Sequence, residues 1–498
     1  MKAPPLTPEP QPAVPRENRS KLRPDLSGEP PLVVDLDDCL VRTDLLVEAI
    51  LTLIKRKPLT ALWMPLWLLR GRAALKRELA NHVTLEIGLL PWREELCDWL
   101  AGEHKRGRRL VLASASDEKF AGEVAAHLGI FEKVIGSDGA TNLKGVAKRD
   151  RLVQEFGDKG FDYAGNAKCD LPVWSSARAA VVVSRSRSLQ AGAARRTTVD
   201  RVIETQSRTR LPAVGAMRTH HWLKNVLVFI PLLAAQRLNE FDAVASSLVA
   251  FGSFCLLASG LYIFNDLFDL NADRRHPRKK YRPIPAGDLP LLHAMAMVPL
   301  LLAGAFVLAS RLPPEFLAIL AVYSALTLVY SLRLKQIVLL DVIVLASLYV
   351  IRIVAGAAAV DVSISRWLLG FSMFAFLSLA LLKRYTEIVT MRAIAGKTTQ
   401  VRGYISTDAG LLTAMGTASG YVAVAILALY ADTATAARYY TRHELIWLVC
   451  PLFLYWISYL WLMAQRNRMP FDPVVFAVRN RTSQVLLLIM LGLFILAV

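Results

Sequence analysis

The hydrophobic and polar positions divide this chain into two parts. Up to about residue 210, short apolar runs alternate with charged segments, and beyond it long apolar runs follow one another. A run of about 20 apolar residues can cross a bilayer as a helix. About nine such runs are centred near residues 229, 254, 299, 322, 348, 375, 420, 453 and 490, the first interrupted by Pro231. The pattern predicts a soluble α/β domain and then an all-α membrane domain over residues 217–498.

Three segments of the first part have the pattern of buried strands that end in polar side chains. They are Pro31–Val41 (PLVVDLDDCLV), Arg109–Ser116 (RLVLASAS) and Phe161–Asp170 (FDYAGNAKCD). Asp35 and Asp37 lie two residues apart at a strand end, so their side chains point the same way. One carboxylate could then attack phosphorus while the other serves as general acid/base. The pair is a weak signal alone, because acidic turns after strands are common.

The segments around these strands differ in composition. Residues 1–30 are rich in proline and polar residues, which favours a disordered tail. Residues 44–91 are helical in pattern and include LTALWMPLWLLRGRAALK, whose apolar part is too short to span a bilayer. We interpret this insertion as a helical cap over the strand ends that touches the membrane through Trp63 and Trp67, or as a plain core helix. Residues 186–216 are basic and predict a linker near an anionic leaflet.

Composition and charge narrow the function classes. The 498 residues are 54% hydrophobic and carry a formal net charge of +18. The basic residues lie mainly in loops between apolar runs, which favours membrane topology and anionic ligands over nucleic acid. By the positive-inside rule these loops are cytoplasmic, which predicts a cytoplasmic N-terminal domain on a multi-pass protein of a bacterial-type inner membrane. Five scattered cysteines predict neither a disulfide framework nor a zinc site.

The strongest candidate for chemistry is the stretch 265–287, NDLFDLNADRRHPRKKYRPIPAG, at the end of an apolar run. Asp266, Asp269 and Asp273 are spaced three and four apart and share a helical face, with Asn265 beside them. Their mutual repulsion would be relieved by a hard divalent cation with a bridged diphosphate. The basic residues that follow could bind the remaining phosphate oxygens: Lys279, Lys280 and Arg282. The alternative is a charge cluster that merely ends a membrane helix.

Three further polar clusters are predicted to face the same side of the membrane. Asp341 and Arg352 lie eleven residues, or about three turns, apart within one apolar helix, where charge tends to be functional. The other candidates are Arg218, Lys224 and Asn225 in Met217–Pro231, Lys335 in SLRLK, and Lys383 and Arg384 in LKRYTE. The structural alternatives are an interfacial anchor, ion pairs between helices and snorkelling basic side chains.

Four motifs of the first part resemble, in order, those of the haloacid dehalogenase superfamily over about residues 31–185: the DLD pair, the serine-bearing strand, NLKG at Asn142–Gly145 and the GNAKCD turn. The resemblance implies a Rossmann-like hydrolase domain with a cap over about 44–91. It assigns Asp35 as nucleophile, Asp37 as acid/base, Ser114 as phosphate ligand and Lys144 as charge stabiliser, with magnesium held by Asp35, Asp37 and Asp170. Asn166 replaces the usual acidic residue, which leaves an active phosphatase and a degenerate regulatory or scaffolding domain both open.

Residues 211–498 resemble the UbiA-type membrane prenyltransferases, most specifically in NDxxDxxxD followed by RPIPAG. Aromatic prenyltransferases of that superfamily carry a second aspartate-rich motif, whereas this chain has only Asp341, with Leu345 at the partner position. Together with HWLKN, SLRLK, RIVAGAAA and KRYTE, this resembles the branch that joins phosphoribosyl diphosphate to polyprenyl phosphate.

The resemblance implies Mg²⁺ on Asn265, Asp266, Asp269 and Asp273, binding the diphosphate of the sugar donor. A polyprenyl phosphate would attack the anomeric carbon, positioned by Lys335, Arg352, Lys383 and Arg384. Asp341 would orient one of these basic groups or the ribose hydroxyls. The phosphatase-like domain would remove the 5-phosphate of the product. The alternatives are prenyl transfer from a prenyl diphosphate to an aromatic or other small acceptor, and a membrane scaffold with a degenerate soluble domain.

Overall fold

The computed structural model describes residues 28–204, 211–395, 402–433, 436, 440–469 and 473–497. The chain folds as two compact units, Met1–Arg208 and Thr209–Val498. Residues 1–27, which make up most of the predicted N-terminal tail, lie outside the described part of the chain.

The first unit is built on a six-stranded parallel sheet with the strand order β3-β2-β1-β4-β5-β6. The predicted α/β sheet is therefore present. Leu32 and Val34 of the central strand pack into one buried core and Val33 packs into another, because helices cover both faces. The strands are β1 (Leu32–Val34), β2 (Leu110–Asp117), β3 (Lys133–Ser137), β4 (Asp162–Gly165), β5 (Ala179–Val182) and β6 (Thr198–Val202).

The segment predicted as an insertion over residues 44–91 is helical. Its first helix begins after Asp44, whose carboxylate accepts a hydrogen bond of 2.8 Å from the backbone N–H of Leu46 and caps the helix. The helices of the unit are α1 (Leu45–Arg56), α2 (Pro58–Ala61), α3 (Met64–Leu69), α4 (Arg72–His82), α5 (Glu94–Lys105), α6 (Glu118–Leu128), α7 (Val146–Phe156), α8 (Leu171–Ser176) and α9 (Arg187–Ala194).

The segment predicted as a basic linker, residues 186–216, begins as part of the folded sheet domain. It forms α9 and then β6, which pairs in parallel with β5. β6 is an edge strand with mostly exposed side chains, so its polar and basic residues stay in water while its backbone completes the sheet. The high density of arginine hid this strand from a composition-based prediction.

The second unit is an all-helical domain of a membrane protein. Within the described residues, seven helices are long and apolar enough to cross a membrane, or up to eight if α20 and α21, bent by 81°, form one span. Its helices are α10 (Pro212–Met217), α11 (Ile230–Ala234), α12 (Phe241–Phe268), α13 (Leu270–Arg275), α14 (Leu291–Ala309), α15 (Pro314–Leu332), α16 (Leu340–Ala359), α17 (Arg366–Ala395), α18 (Ala409–Ala431), α19 (Glu444–Gln465), α20 (Pro473–Arg479) and α21 (Arg481–Ala497).

The predicted count of about nine spans is too high for the described residues. One of the nine predicted spans, the apolar run near residue 229, does not form a long helix. Around residue 229 the chain forms a 3₁₀ segment, Thr219–Phe229, followed by the five-residue helix α11. Pro231 lies at the start of α11, where its missing N–H removes one hydrogen bond from any continuous helix. The run is therefore a short broken element and not a span.

The 3₁₀ segment packs against α16 at a close backbone contact. A Cβ atom at Gly356 would lie 2.0 Å from the carbonyl oxygen of Val228. No side chain can yield there, since the obstructing atom belongs to the backbone. The small residues of the RIVAGAAA run therefore allow this approach, which brings Asn225 next to Arg352.

Replacing Gly356 by alanine is expected to destabilise the membrane domain by about 2 kcal/mol, because the added methyl must push two backbones apart. The measurement is the thermal unfolding midpoint of the purified protein in detergent. Gly492→Ala is the matched control, since a Cβ there meets nothing within 4 Å. Equal midpoints for the two variants would contradict the close approach.

Candidate functional site

The acidic cluster lies where α12 ends and α13 begins. The backbone N–H of Asp273 donates to the carbonyl of Asp269 at 2.8 Å, so helical hydrogen bonding continues across the junction. Asp266, 1% exposed, and Asp273, 3% exposed, are both deeply buried. Buried carboxylates of this kind need positive partners.

Basic side chains supply those partners. Nη1 of Arg282 lies 3.2 Å from Oδ1 of Asp266 and 2.6 Å from Oδ2 of Asp273. Arg218 pairs with Asp266 as well. Lys335 Nζ lies 2.6 Å from Oδ2 of Asp269 and 3.5 Å from Oδ1 of Asn265. The four predicted ligands and three of the predicted basic residues thus belong to one network: Asn265, Asp266, Asp269, Asp273, Arg218, Arg282 and Lys335.

Lys280 is exposed, and its ammonium lies 5.1 Å from the centre of the Tyr281 ring. Its neighbour Lys279 instead reaches the cluster, with Nζ 3.7 Å from Oδ1 of Asp273. Burial lowers the pKa of Lys279, while Asp273 and Glu387 act in the opposite direction. Lys279 therefore lies within electrostatic range of both the acidic cluster and α17.

The RPIPAG segment holds Arg282 against the carboxylates. The backbone N–H of Ala286 donates to the Arg282 carbonyl at 2.9 Å, which closes a helical turn. Arg274 Nε donates to the Pro285 carbonyl at 3.2 Å, and Ile284 is buried. The turn is therefore fixed from both sides, by a buried guanidinium and by an apolar anchor.

The acidic cluster fits Mg²⁺ in its donor chemistry, since carboxylate and amide oxygens are the ligands that this ion prefers. Within the described residues, no three His, Cys, Asp or Glu side chains are grouped closely enough to hold a metal ion. In the acidic cluster, the Arg282 guanidinium lies between Asp266 and Asp273, and both carboxylates contact it through one nitrogen. Positive charge therefore already occupies the point at which those two carboxylates converge.

A second polar cluster lies deeper in the helical domain around Arg352. Its Nε donates to Oδ1 of Asn225 at 3.0 Å, and its Nη2 donates to the hydroxyl of Tyr323 at 2.6 Å. Its guanidinium carbon lies 5.5 Å from the Tyr349 ring centre, and Lys224 Nζ lies 5.9 Å from the same centre. The structure therefore brings together Arg352, Lys224 and Asn225, and adds Tyr323 and Tyr349.

A third cluster surrounds Arg384, which is fully buried. Its Nη2 lies 2.5 Å from Oδ2 of Asp341, and its Nη1 pairs with Glu387. The Tyr404 hydroxyl donates to Oδ1 of Asp341 at 2.6 Å. Asp341 and Arg384 thus neutralise each other, whereas Lys383, on the same helix, is half-buried. Asp341 and Arg352 share a helix but belong to different clusters.

In the first unit, the predicted carboxylates lie at the carboxyl ends of the central strands β1 and β4. The sheet order reverses there, which is the usual ligand site of open parallel sheets. Lys148 Nζ lies 2.8 Å from Oδ1 of Asp35 and 3.1 Å from the Tyr163 hydroxyl. That hydroxyl donates to Oδ1 of Asp170 at 3.1 Å. Asp35 and Asp170 are therefore joined through Lys148 and Tyr163.

Asp37 accepts hydrogen bonds from two strand-end hydroxyls and one backbone amide. Its Oδ2 lies 3.0 Å from Ser114 Oγ and 2.7 Å from Ser116 Oγ, and its Oδ1 accepts from the Leu45 N–H at 2.9 Å. Burial, followed by the charge of Asp44, raises the pKa of Asp37 to about 6. A carboxyl with that pKa can both donate and accept a proton near neutral pH.

Three residues at this site were missed from the sequence. Lys144, predicted as the charge stabiliser, is exposed, and the buried Lys148 lies against Asp35 instead. Burial lowers the pKa of Lys148, but Asp35 and Asp170 outweigh it and raise the pKa overall. The signal that could have found it is a lysine one turn from Leu152 on the buried face of α7. Ser116 and Tyr163 carry no comparable signal.

The residues around Asp170 fit a divalent cation by their oxygen chemistry. Burial, with the charge of Asp35, raises the pKa of Asp170 to about 6. Its Oδ2 accepts from the backbone N–H groups of Asn166 and Ala167, at 3.0 and 2.9 Å. The buried Oδ1 of Asn166 has no hydrogen-bond partner among the described residues. An unpaired buried acceptor close in the chain to the Asp170 carboxylate is where a cation would be stabilised.

Comparison with protein families matches residues 225–480 to the model of the UbiA prenyltransferase family. An uncharacterized protein of Sinorhizobium fredii is 35% identical over 477 residues, covering 94% of this chain and 91% of that protein. The decaprenyl-phosphate phosphoribosyltransferase of Mycolicibacterium smegmatis is 30% identical over 285 residues, covering 56% of this chain and 90% of that enzyme. The Sinorhizobium fredii protein therefore matches both units of this chain.

Among solved structures, a UbiA homolog from Archaeoglobus fulgidus bound to DMAPP and Mg²⁺ aligns with a TM-score of 0.43 and 14% identity. The alignment covers 57% of this chain and 98% of that structure.

Proposed function

This chain belongs to the UbiA prenyltransferase family, and from that we propose that its membrane domain transfers the phosphoribosyl group of phosphoribosyl diphosphate to a polyprenyl phosphate. The chain is an integral membrane protein, with seven or eight candidate spans among its described residues. The similarity to a decaprenyl-phosphate phosphoribosyltransferase supports this choice of donor and acceptor within the family.

The observation that carries the proposal is the state of Asp341. A second cation site for prenyl diphosphate would need more than one carboxylate along α16, and Asp341 is the single acidic residue of that helix. Asp341 is fully buried and is bonded to Arg384 and Tyr404. Among its described residues the membrane domain therefore offers one acidic cluster for a diphosphate, together with basic side chains, which suits a sugar diphosphate donor and a lipid monophosphate acceptor.

The donor would bind at the acidic cluster. Asn265, Asp266, Asp269 and Asp273 would hold Mg²⁺, which neutralises diphosphate charge and makes diphosphate a better leaving group. Arg218, Arg282 and Lys335 now neutralise these carboxylates, and each can turn its positive charge toward phosphate oxygens. The bond between the anomeric carbon and the diphosphate oxygen breaks, and diphosphate leaves with the electron pair.

The acceptor phosphate would bind at the Arg352 cluster. Arg352 contacts an amide, a hydroxyl and a carbonyl, and among the described residues it has no carboxylate partner. A buried guanidinium without a counter-ion attracts an anion strongly. An acceptor phosphate oxygen held there attacks the anomeric carbon and forms the new bond. Because that oxygen is already ionised, the step needs no general base.

We also propose that the first unit removes the 5-phosphate from the product. Asp35 attacks phosphorus, and Asp37 protonates the departing ribose oxygen, in keeping with its raised pKa. Water then releases phosphate from Asp35. Lys148 neutralises Asp35 and the transferring phosphoryl group, and Ser114 orients Asp37. The basic loops of the membrane domain support a cytoplasmic location for this unit, where sugar phosphates are soluble.

The test supplies purified wild-type protein with each of two substrate pairs. Labelled phosphoribosyl diphosphate with polyprenyl phosphate is expected to give labelled lipid and free diphosphate, because the described part of the membrane domain has an acidic cluster for one diphosphate. A labelled prenyl diphosphate with an aromatic acceptor is expected to give no prenylated product. The reverse result would establish prenyl transfer instead. Product from neither pair would favour a scaffold.

A further inference from the structure

The cap of the first unit carries an uncharged, exposed segment, which we call the apolar strip: residues 58–69, PLTALWMPLWLL, in helices α2 and α3. Leu69 is 84% exposed, Leu59 78% and Leu62 75%. Soluble domains rarely expose so many adjacent large apolar side chains without a binding partner. The exposed members are Leu59, Leu62, Trp63, Leu66, Leu68 and Leu69.

The buried side chains of the apolar strip pack against the rest of the first unit. Trp67 is buried and stacks on His82 of α4, with ring centres 5.2 Å apart. Ala61 and Met64 pack into or against the core of the unit. The inner side is therefore fixed to the domain, and the outer leucines and Trp63 extend from a rigid base.

Basic residues flank the apolar strip at both ends. Lys55, Arg56 and Lys57 precede it, and Arg70 and Arg72 follow it, all five of them exposed. An apolar surface between clustered basic side chains is complementary to an anionic lipid leaflet, where the apolar part enters the acyl region and the basic part meets the head groups. An apolar groove on a protein would not interact favourably with five surrounding positive charges, whereas anionic head groups would.

The unit that carries the apolar strip is joined to the membrane domain by a short stretch of chain. The sheet domain ends with β6 at Val202 and the membrane domain begins with α10 at Pro212. The ten residue steps from Val202 to Pro212 reach at most about 36 Å. The twelve residues of the apolar strip would be about 18 Å long as a helix, too short to span a bilayer of about 30 Å but long enough to lie in its interface.

We infer that the apolar strip docks the cap on the surface of the bilayer that holds the membrane domain. The cap also reaches the phosphatase site: Lys76 of α4 donates to the Ala115 carbonyl at 2.5 Å and to Asn142 Oδ1 at 2.7 Å. His82, which Trp67 stacks on, belongs to the same helix. Resting on the proposed phosphatase activity, the inference extends to the substrate class: a phosphate monoester carried on a membrane lipid.

The test of docking uses the full chain in vesicles that contain anionic phosphatidylglycerol. Spin labels are placed at Leu62→Cys and Leu66→Cys, in a background with the five native cysteines replaced by alanine. Gln154→Cys, exposed on α7, is the control position. Docking predicts that both cap labels collide readily with oxygen and poorly with a water-soluble nickel chelate, while the control label does the reverse.

Two results would overturn docking. Cap labels as accessible to nickel as the control would mean that the apolar strip faces water. Cap labels shielded from both oxygen and nickel would mean that it packs against protein, either the membrane domain or a second copy. Both outcomes can be read without any enzymatic activity, so they are independent of the proposed phosphatase.

The substrate class is tested with the triple variant Leu59→Gln, Leu62→Gln, Leu66→Gln, whose side chains point away from the core. Phosphate release from phosphoribosyl lipid in vesicles is expected to fall at least about tenfold, because the tethered domain stays near the bilayer but its site is no longer held against the lipid head groups. Release from water-soluble p-nitrophenyl phosphate is expected to stay unchanged. Equal losses on both substrates would contradict a lipid-specific role. No release from either by wild type would refute the phosphatase and leave the label result standing.

Discussion

Replacing Asp266 by asparagine is expected to lower the rate of phosphoribosyl transfer about 10²- to 10³-fold. Asparagine keeps the shape of the side chain but removes the charge that Arg218 and Arg282 contact. The donor site then loses a proposed cation ligand and holds two guanidinium groups with less opposing charge. The measurement is the initial rate of labelled lipid formation from phosphoribosyl diphosphate in proteoliposomes.

The matched control for this variant is Asp242→Asn, in the first turn of the same helix α12. Asp242 is exposed, so the same change of charge there should leave the rate unchanged. The thermal midpoints of both proteins show whether the fold survives. If Asp266→Asn folds and transfers as fast as Asp242→Asn, the acidic cluster does not bind the donor, and the proposed function loses its site.

Local sequence spacing nominated Asp266, Asp269 and Asp273, which lie within one helical junction. Asp266 and Asp273 meet at Arg282, whereas Asp269 pairs with Lys335. Their partners come from farther along the chain: Arg218 lies 48 residues before Asp266, and Lys335 lies 66 residues after Asp269. The sequence could identify these basic residues as candidates, but it could not predict which carboxylate each of them contacts.

The partners of Asp341 and Arg352 could not be predicted from the sequence for the same reason. Their spacing placed them on one helix, but their roles depend on what faces that helix. Arg384 and Tyr404 contact Asp341, whereas Asn225 and Tyr323 contact Arg352. Sequence alone offered Arg384 as a phosphate ligand, and the structure shows it bonded to two carboxylates instead. Long-range packing decides which buried charges remain open to a ligand.

In the first unit, strand-end patterns located Asp35 and Asp37 because alternation within a strand fixes side-chain direction. The lysine was harder to locate, since Lys144 and Lys148 lie only four residues apart, Lys144 exposed before α7 and Lys148 buried within it. The edge strand β6 was hidden by its basic composition, because an exposed edge needs no apolar face. The sequence suggested that the insertion touches the membrane through Trp63 and Trp67. That was wrong for Trp67, which is buried, because sequence alone did not show which of the two side chains faces the core.

Replacing Asp35 by asparagine is expected to reduce phosphate release from the phosphoribosyl lipid on the order of 10⁴-fold, because the variant lacks the attacking carboxylate. Transfer should continue at the wild-type rate, so product that retains its 5-phosphate accumulates and can be measured by mass spectrometry. Asp38→Asn is the matched control, since Asp38 is exposed with a φ of 55° that asparagine tolerates. Wild-type protein that also retains the 5-phosphate would identify a degenerate domain, and the pKa of Asp37, raised by burial and by the charge of Asp44, would then serve no catalytic step.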